Sequence, residues 1–341
     1  MIRVALDAMG SDRGPQAVVE GVARLSREET PIEVLLVGDE PELSGLLAEQ
    51  RYDPSRVVLV HSAGAVSMTD KPGAALDASP DCSVLTAARL VRAGDADALV
   101  SAGNTGAVIL AAARTFDRLP GVRRAALAAV HPTEARHGPR QDPFALMLDV
   151  GATLAATPED LVGFAVMGSA YSRIVSGIER PRVALLSNGT ESEKGTPAIV
   201  AAHKRLLELS SVEFVGNVEG LDIPKGTVDV VVCEGFLGNV VLKMLEGVSE
   251  VVADIARDAY ARKFLWKLGL TMLSQGLRQL RTMTDWKQYG GAPLLGLDRV
   301  VIKAHGRSNA RAVRNAVKVA AKAVEGDLAG RIATDLGAQQ E

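Results

Sequence analysis

The stretch "DALVSAGNTGAVILAAART", Asp97–Thr115, runs from an apolar strand-like segment, through two glycines, an asparagine and a threonine, into an apolar helical segment. A strand-to-helix turn needs only one glycine and one cap. Asn104 or Thr105 can cap the helix here, while Gly103 and Gly106 permit close backbone approach and the N–H groups at a helix start attract an anion. A well-capped glycine-rich turn with no ligand accounts for the same residues. On either account, a buried strand leading straight into a helix is the repeating unit of an α/β fold.

Outward from this stretch the alternation recurs. The runs "IRVAL", "IEVLLVG", "RVVLVH", "RAALAAV", "FALMLDVGA", "RVALLS", "VEFVG", "VDVVVC" and "RVVIKAHG" have the near-continuous aliphatic character of strands buried on both faces. Helical patterns fall between many of them, at Pro15–Leu25, Pro41–Gln50, Ser83–Ala93, Thr105–Thr115, Pro158–Val175, Pro197–Leu209 and Ser308–Val324, several opening on proline. The expected architecture is a doubly wound, mostly parallel sheet, with residues 1–341 forming one α/β unit that can divide into two lobes. From Asn239 to about Asp285 strand patterns cease, and residues 239–285 are expected to form a helical projection.

The 341 residues are 47% hydrophobic and 23% charged with a net charge of -3, which suits a globular protein and argues against nucleic acid, since phosphate neutralisation needs a dominant basic face. Cys82 and Cys233 are the only cysteines, with no C-x-x-C pair and no Cys/His cluster at metal-ligand spacing, so neither a disulfide framework nor a metal site is expected. A secretory leader and a membrane-spanning run are both missing from the pattern, and the cytoplasm is the expected compartment. Signatures of nucleoside triphosphate, dinucleotide, serine-elbow and zinc-protease chemistry are not found, and no cofactor is expected.

Several strand ends carry polar groups. "LDAMGSDRGP" places Asp7 at the carboxyl end of the first strand, followed by Gly10 and Asp12, where ligands of open parallel sheets bind. "NVEGLDIPKGTVDVVVCEGFLGNVVLK" gathers Asn217, Glu219, Asp222, Asp229 and Glu234 around a buried strand, and its second glycine-rich turn, with Gly235 and Asn239, is expected to share one crevice with the first. "LLSNGTESEKGTP" sets Lys194 before a helix start, and "KAHGRSNARAV" carries His305, Ser308 and Asn309. In "KFLWKLGLTMLSQGLRQLRTMTDWK", Lys267, Arg278 and Arg281 edge a broad apolar surface with Phe264, Leu265, Trp266 and Leu268. That pattern suits a membrane interface, and equally a helix buried in a dimer or core.

Taken in order, "LDAMGSD", "SAGNTGA", "DVGA", "FAVMGSAYSR", "NVEGLDI", "VDVVVCEGFLGNVVLK", "YGGAPLLGL" and "HGRSN" resemble the bacterial phosphate acyltransferases of phospholipid synthesis, the PlsX family, from Ile2 to about Val324. The resemblance implies a fold like phosphotransacetylase and isocitrate dehydrogenase. It implies attack of inorganic phosphate on the thioester of long-chain acyl-acyl carrier protein, a homodimer, and peripheral association with the inner membrane surface. It also implies hand-over of acyl phosphate to a membrane glycerol-3-phosphate acyltransferase. Family motifs fall on Asp7, Gly10, Asp12, Gly103, Asn104, Thr105, Gly106, Lys194, Asn217, Glu219, Asp222, Glu234, Gly235, Asn239, Lys243, His305 and Ser308.

On that footing the Gly103–Gly106 amides, with Asn104, Thr105 and Lys194, are expected to hold phosphate. Asn217, Asn239 or His305 would donate to the thioester oxygen, and Asp7 or Glu234 would orient or deprotonate the phosphate. The chain departs from the family at Ser11, Glu234 and, most of all, "DKPGAALDASPDCSV", where relatives are basic and this chain has Ala74, Asp77, Ala78, Ser79, Pro80 and Cys82. Two other functions fit the same features. A dehydrogenase of this fold group would need a metal-binding carboxylate set, and a membrane-docked scaffold would bind carrier protein without turnover.

Overall fold

The computed structural model describes residues 1–139, 141–262 and 290–337. The first part of the chain forms β1 (Ile2–Asp7), α1 (Gly14–Ser26), β2 (Ile32–Gly38), α2 (Glu40–Ala48), β3 (Val57–His61), α3 (Pro72–Ala78), α4 (Ser83–Ala93), β4 (Ala98–Ser101) and α5 (Thr105–Thr115). The second forms β5 (Ala126–His137), β6 (Asp142–Leu148), α6 (Pro158–Tyr171), β7 (Arg182–Leu186), α7 (Pro197–Glu208), β8 (Glu213–Val218), α8 (Asp222–Lys225), β9 (Val230–Val232) and α9 (Gly235–Arg262). The chain then returns to the first part as β10 (Ala292–Leu295), β11 (Val300–Lys303), α10 (Ala310–Glu325) and α11 (Leu328–Gly337). Each strand-like run in the sequence is a strand. β10 was not among them, because its four residues lie inside "YGGAPLLGL" and look like a glycine-rich turn.

The eleven strands of the described residues join one sheet in the order β3-β2-β1-β4-β11-β10-β5-β6-β9-β7-β8. It is mostly parallel, as expected, but β10 is antiparallel to β11 and β5, and β5 is antiparallel to β6. The reversals have a geometric consequence. Strands β6, β9, β7 and β8 run opposite to β1, β2, β3, β4 and β11, so the carboxyl ends of the two groups leave from opposite edges of the sheet.

Strand alternation sends side chains to both faces of the sheet. Val4 and Leu6 of β1 join Val18, Val22, Val313 and Val317 of α1 and α10 on one face. Ala5 joins Val84, Ala88, Val108 and Ala112 of α4 and α5 on the other. That second face also receives α9 through Leu237, Val241, Leu242 and Leu245. The outward side of α9 carries a stripe of exposed apolar residues, Phe236, Val240, Met244, Val248, Val252 and Ile255. The expected projection over 239–285 is thus helical as far as Arg262. Its remainder lies outside the described residues, with Phe264, Leu265, Trp266, Lys267, Leu268, Arg278 and Arg281.

The start of α9 is held against the end of β6. A Cβ at Gly238 would lie 1.9 Å from the Asp149 carbonyl oxygen and 2.8 Å from the Cys233 Sγ, a clash no rotamer relieves. Gly247, on the same helix, has open space where its Cβ would be. Gly238→Ala is expected to lose about 3 kcal/mol through overpacking, whereas Gly247→Ala should gain roughly 0.5–1 kcal/mol from helix propensity. Urea denaturation of the two variants checks the opposite signs.

Candidate active site

At the first carboxyl edge three polar residues sit side by side on one sheet face, because Asp7 pairs with Ser101 and Ser101 with Lys303 in register. Asp7 is 3% exposed. The Ser101 hydroxyl donates to its Oδ2 at 2.6 Å and the Met9 amide to its Oδ1 at 3.1 Å. Burial pushes the Asp7 carboxyl above its ordinary range, against the lowering effect of Ser101, Ser83 and Met9. The Gly103 amide donates to Ser101 Oγ at 3.1 Å, and a Cβ at Gly103 would lie 3.3 Å from both Asp7 Oδ2 and Ser101 Oγ. A side chain here would have to displace the two oxygens by a few tenths of an ångström.

Asn104 caps α5, its Oδ1 accepting from the Ala107 amide at 3.2 Å. Its Nδ2 donates to the carbonyls of Ser67, Met68 and Asp70. Both ends of the amide are thus committed to the turn and the loop above it, which leaves Asn104 positioning the site and not donating to a ligand. The first-turn amides of Thr105 and Gly106 have no intrahelical acceptor and remain the donors of this helix start. His305, half-buried, accepts from the Arg307 amide on Nδ1 at 3.1 Å. Burial lowers its pKa to about 4, with the Lys303 charge next, so the ring is neutral and its proton sits on Nε2. The Ser308 hydroxyl is buried and has no hydrogen-bond partner among the described residues, and the Asp12 carboxylate packs on Gly306, where a Cβ would meet its Oδ2 at 2.6 Å.

The second edge is organised by Asp149, a residue not singled out in the sequence. Its carboxylate, 0% exposed, accepts from the amides of Leu127, Gly151, Ala152 and Thr153 and from the Thr153 hydroxyl. The Thr153 hydroxyl in turn accepts from Gly235, whose own Cβ would lie 2.3 Å from the Thr153 carbonyl oxygen. Gly235 is thus a packing position. Asn217 is buried, donating to the Glu191 carbonyl at 2.8 Å and meeting His203 Nδ1 at 2.9 Å, so its amide ties down the 187–196 loop and is committed there. The Asp222 carboxylate accepts from the Glu219 amide at 3.0 Å and closes its own turn. Glu234 is half-buried, and Lys194 and Asn239 are exposed.

Two expectations change. The glycine-rich turns do not share one crevice on a single sheet edge, because β10 and β6 reverse the sense of the sheet. Lys194 does not complete the Gly103–Gly106 turn: β7 lies six strands from β4, about 29 Å at normal strand spacing, and its carboxyl end faces the other edge. Helix α9 connects the two edges. It starts against Asp149 and Thr153, and the residues from Gly235 to Glu250 span about 22 Å to where Arg307 donates to Glu250 at 3.2 Å. Lys243, paired with Glu246 at 2.7 Å, travels with it to the first edge.

The first edge also holds a cation that the sequence reading passed over. Lys303 is 8% exposed, close enough to Lys243, Asp12 and Glu246 to feel their charges, while His131 of β5 feels Glu246. In the stretch 70–84 two acidic residues are paired, Asp77 with Arg114 at 2.8 Å and Asp81 with Arg89 at 3.1 Å. Cys82 and Cys233 are buried and their thiols pushed up, mainly by burial.

A profile of the fatty acid synthesis protein family matches residues 2–331. The chain is 45% identical to a phosphate acyltransferase of Myxococcus xanthus, covering 98% of this chain and 94% of that one. It is 38% identical to a phosphate acyltransferase of Halothermothrix orenii over the full length of both. A phosphotransacetylase from Streptococcus pyogenes shares the fold at a TM-score of 0.65 and 17% identity, over 95% of this chain and 94% of that one.

Because Asp7 is held above its ordinary pKa in the fold, its ionisation costs stability as pH rises through the unfolded and then the folded value, and Ser101 offsets part of that cost. Ser101→Ala should lose about 1–3 kcal/mol at pH 7–8, and the loss should shrink once the pH falls below the folded-state pKa of Asp7. Chemical denaturation across pH checks it.

Proposed function

The chain belongs to the fatty acid synthesis protein family of phosphate acyltransferases, and from that membership we propose that it moves a long-chain fatty acyl group from the thioester of acyl carrier protein to inorganic phosphate, releasing acyl phosphate and free carrier protein. The observation that carries the mechanism is the state of the two thiols. Buried and raised in pKa, neither Cys82 nor Cys233 serves as a nucleophile, and the Ser101 hydroxyl is wholly buried against Asp7. In this reading a phosphate oxygen attacks the thioester carbon directly. The carbon–oxygen bond forms, the carbon–sulfur bond breaks, and the thiolate leaves with the electron pair and takes up the proton that the attacking hydrogen phosphate gives up.

The first edge supplies the parts this step needs. The Thr105 and Gly106 amides at the positive end of α5 face the phosphate, and the Nε2–H of neutral His305 donates a hydrogen bond to the carbonyl oxygen as it becomes an oxyanion. Asp7 acts from behind by holding Ser101 and Gly103 in place. Lys194 and Asn239, exposed on the second edge with Glu234, take no part in this step. The proposal includes a homodimer attached to the cytoplasmic membrane surface, where acyl phosphate passes to a membrane glycerol-3-phosphate acyltransferase. Its support is the exposed apolar stripe of α9, and no helix among the described residues is long and apolar enough to cross a membrane.

Purified protein mixed with long-chain acyl-acyl carrier protein should form hydroxamate in the presence of hydroxylamine only when phosphate is added. Phosphate-independent or undetectable hydroxamate would refute the reaction. His305→Gln is expected to lower kcat about 100-fold, the magnitude of one oxyanion donor, with little change in the melting temperature.

A further inference from the structure

The glycine-rich turn at the first edge provides amides for an anion, but in this fold Lys194 is too distant to provide the charge. The cation present there is Lys303, the last residue of β11. Its side chain is on the face of the sheet that carries Asp7 and Ser101, in register with Ser101 across β4. Only 8% of the residue is exposed, and among the described residues its ammonium closes no hydrogen bond or ion pair. Asp12 and Glu246 attract it without contacting it, and Glu246 is already paired with Lys243. A nearly buried ammonium without an ion pair is costly to maintain in a fold. The Ser308 hydroxyl, in the turn that follows β11, is buried and has no hydrogen-bond partner among the described residues.

We propose, on the basis of the acyl transfer argued above, that Lys303 is a phosphate-binding residue, the fixed charge of an anion site at the carboxyl edge of β1, β4 and β11, beneath Lys243 and Glu246 of α9. The ligand is a phosphoryl group. Two substrates present one: inorganic phosphate, and the phosphodiester through which the carrier protein bears its thioester arm. The surroundings fit an anion. His131 and His305 are both lowered to about 4, first by burial, and stay neutral, so neither competes for the ligand as a cation. Lys303 is lowered to about 8, by burial first and by Lys243 next, against Asp12 and Glu246. An arriving dianion reverses that shift and restores a full charge where it is needed.

The test uses the full chain and Lys303→Met, which keeps the stem and removes the charge, with Lys303→Gln in reserve should the first variant fail to fold. Inorganic phosphate should raise the melting temperature of the wild type, and that protection should vanish in the variant. In turnover assays the variant should show a rise of tenfold or more in one KM. A rise confined to inorganic phosphate places the nucleophile on Lys303, and a rise confined to acyl-acyl carrier protein places the phosphodiester there. Both KM values within twofold of wild type would overturn the assignment, whatever the phosphate protection. A wild type that binds phosphate through Lys303 yet forms no acyl phosphate would sink the reaction and leave the site standing.

Discussion

The buried carboxylate of Asp149 is the interaction on which the rest of the arrangement depends. Its two oxygens accept five hydrogen bonds, four of them from backbone amides on β5 and on the loop that follows β6. Such a carboxylate is stable without a cation because the amides supply the positive ends of aligned dipoles. Through Thr153 it fixes the first amide of α9, and two glycines let that helix lie directly on the loop. From this anchor α9 crosses the sheet face and delivers Lys243, Glu246 and Glu250 to the opposite edge.

The two edges divide the polar residues. At the first, Asp7 and Ser101 form a rigid floor, the start of α5 points its amides outward, and a neutral histidine and a buried ammonium complete the set. At the second, Asn217 and Asp149 are fully engaged in holding loops, while Lys194 and Asn239 remain exposed. Rigid groups below and donors above are what a reaction without a covalent intermediate demands, since positioning and oxyanion stabilisation are then the enzyme's whole contribution.

Much of the fold was legible because buried parallel strands are unmistakably aliphatic and several helices open on proline. β10 escaped, since four residues flanked by Gly290, Gly291 and Gly296 carry a turn's composition. Reversal of strand sense is not written in any local pattern, so the single crevice inferred from two glycine-rich turns did not survive. Asn104 and Asn217 have the residue type of active-site donors, and only their partners reveal that both ends are occupied. Lys303 and His131 erred in the other direction. A lysine that ends a strand looks solvated, and its burial follows from a helix whose course across the sheet is set some 60 residues earlier in the chain.

The placement of β11 governs how the chain reaches this state. Val300 to Lys303 insert between β4 and β10, pairing with Ala98 to Ser101, and α10 covers the same core as α1. The amino-terminal strands therefore wait, with one flank open, until almost the whole polypeptide has been made. Contacts of such long sequence separation are slow to form and leave an exposed strand edge during synthesis. A chain that stops before Val300 therefore carries the glycine-rich turn without Lys303 beside it.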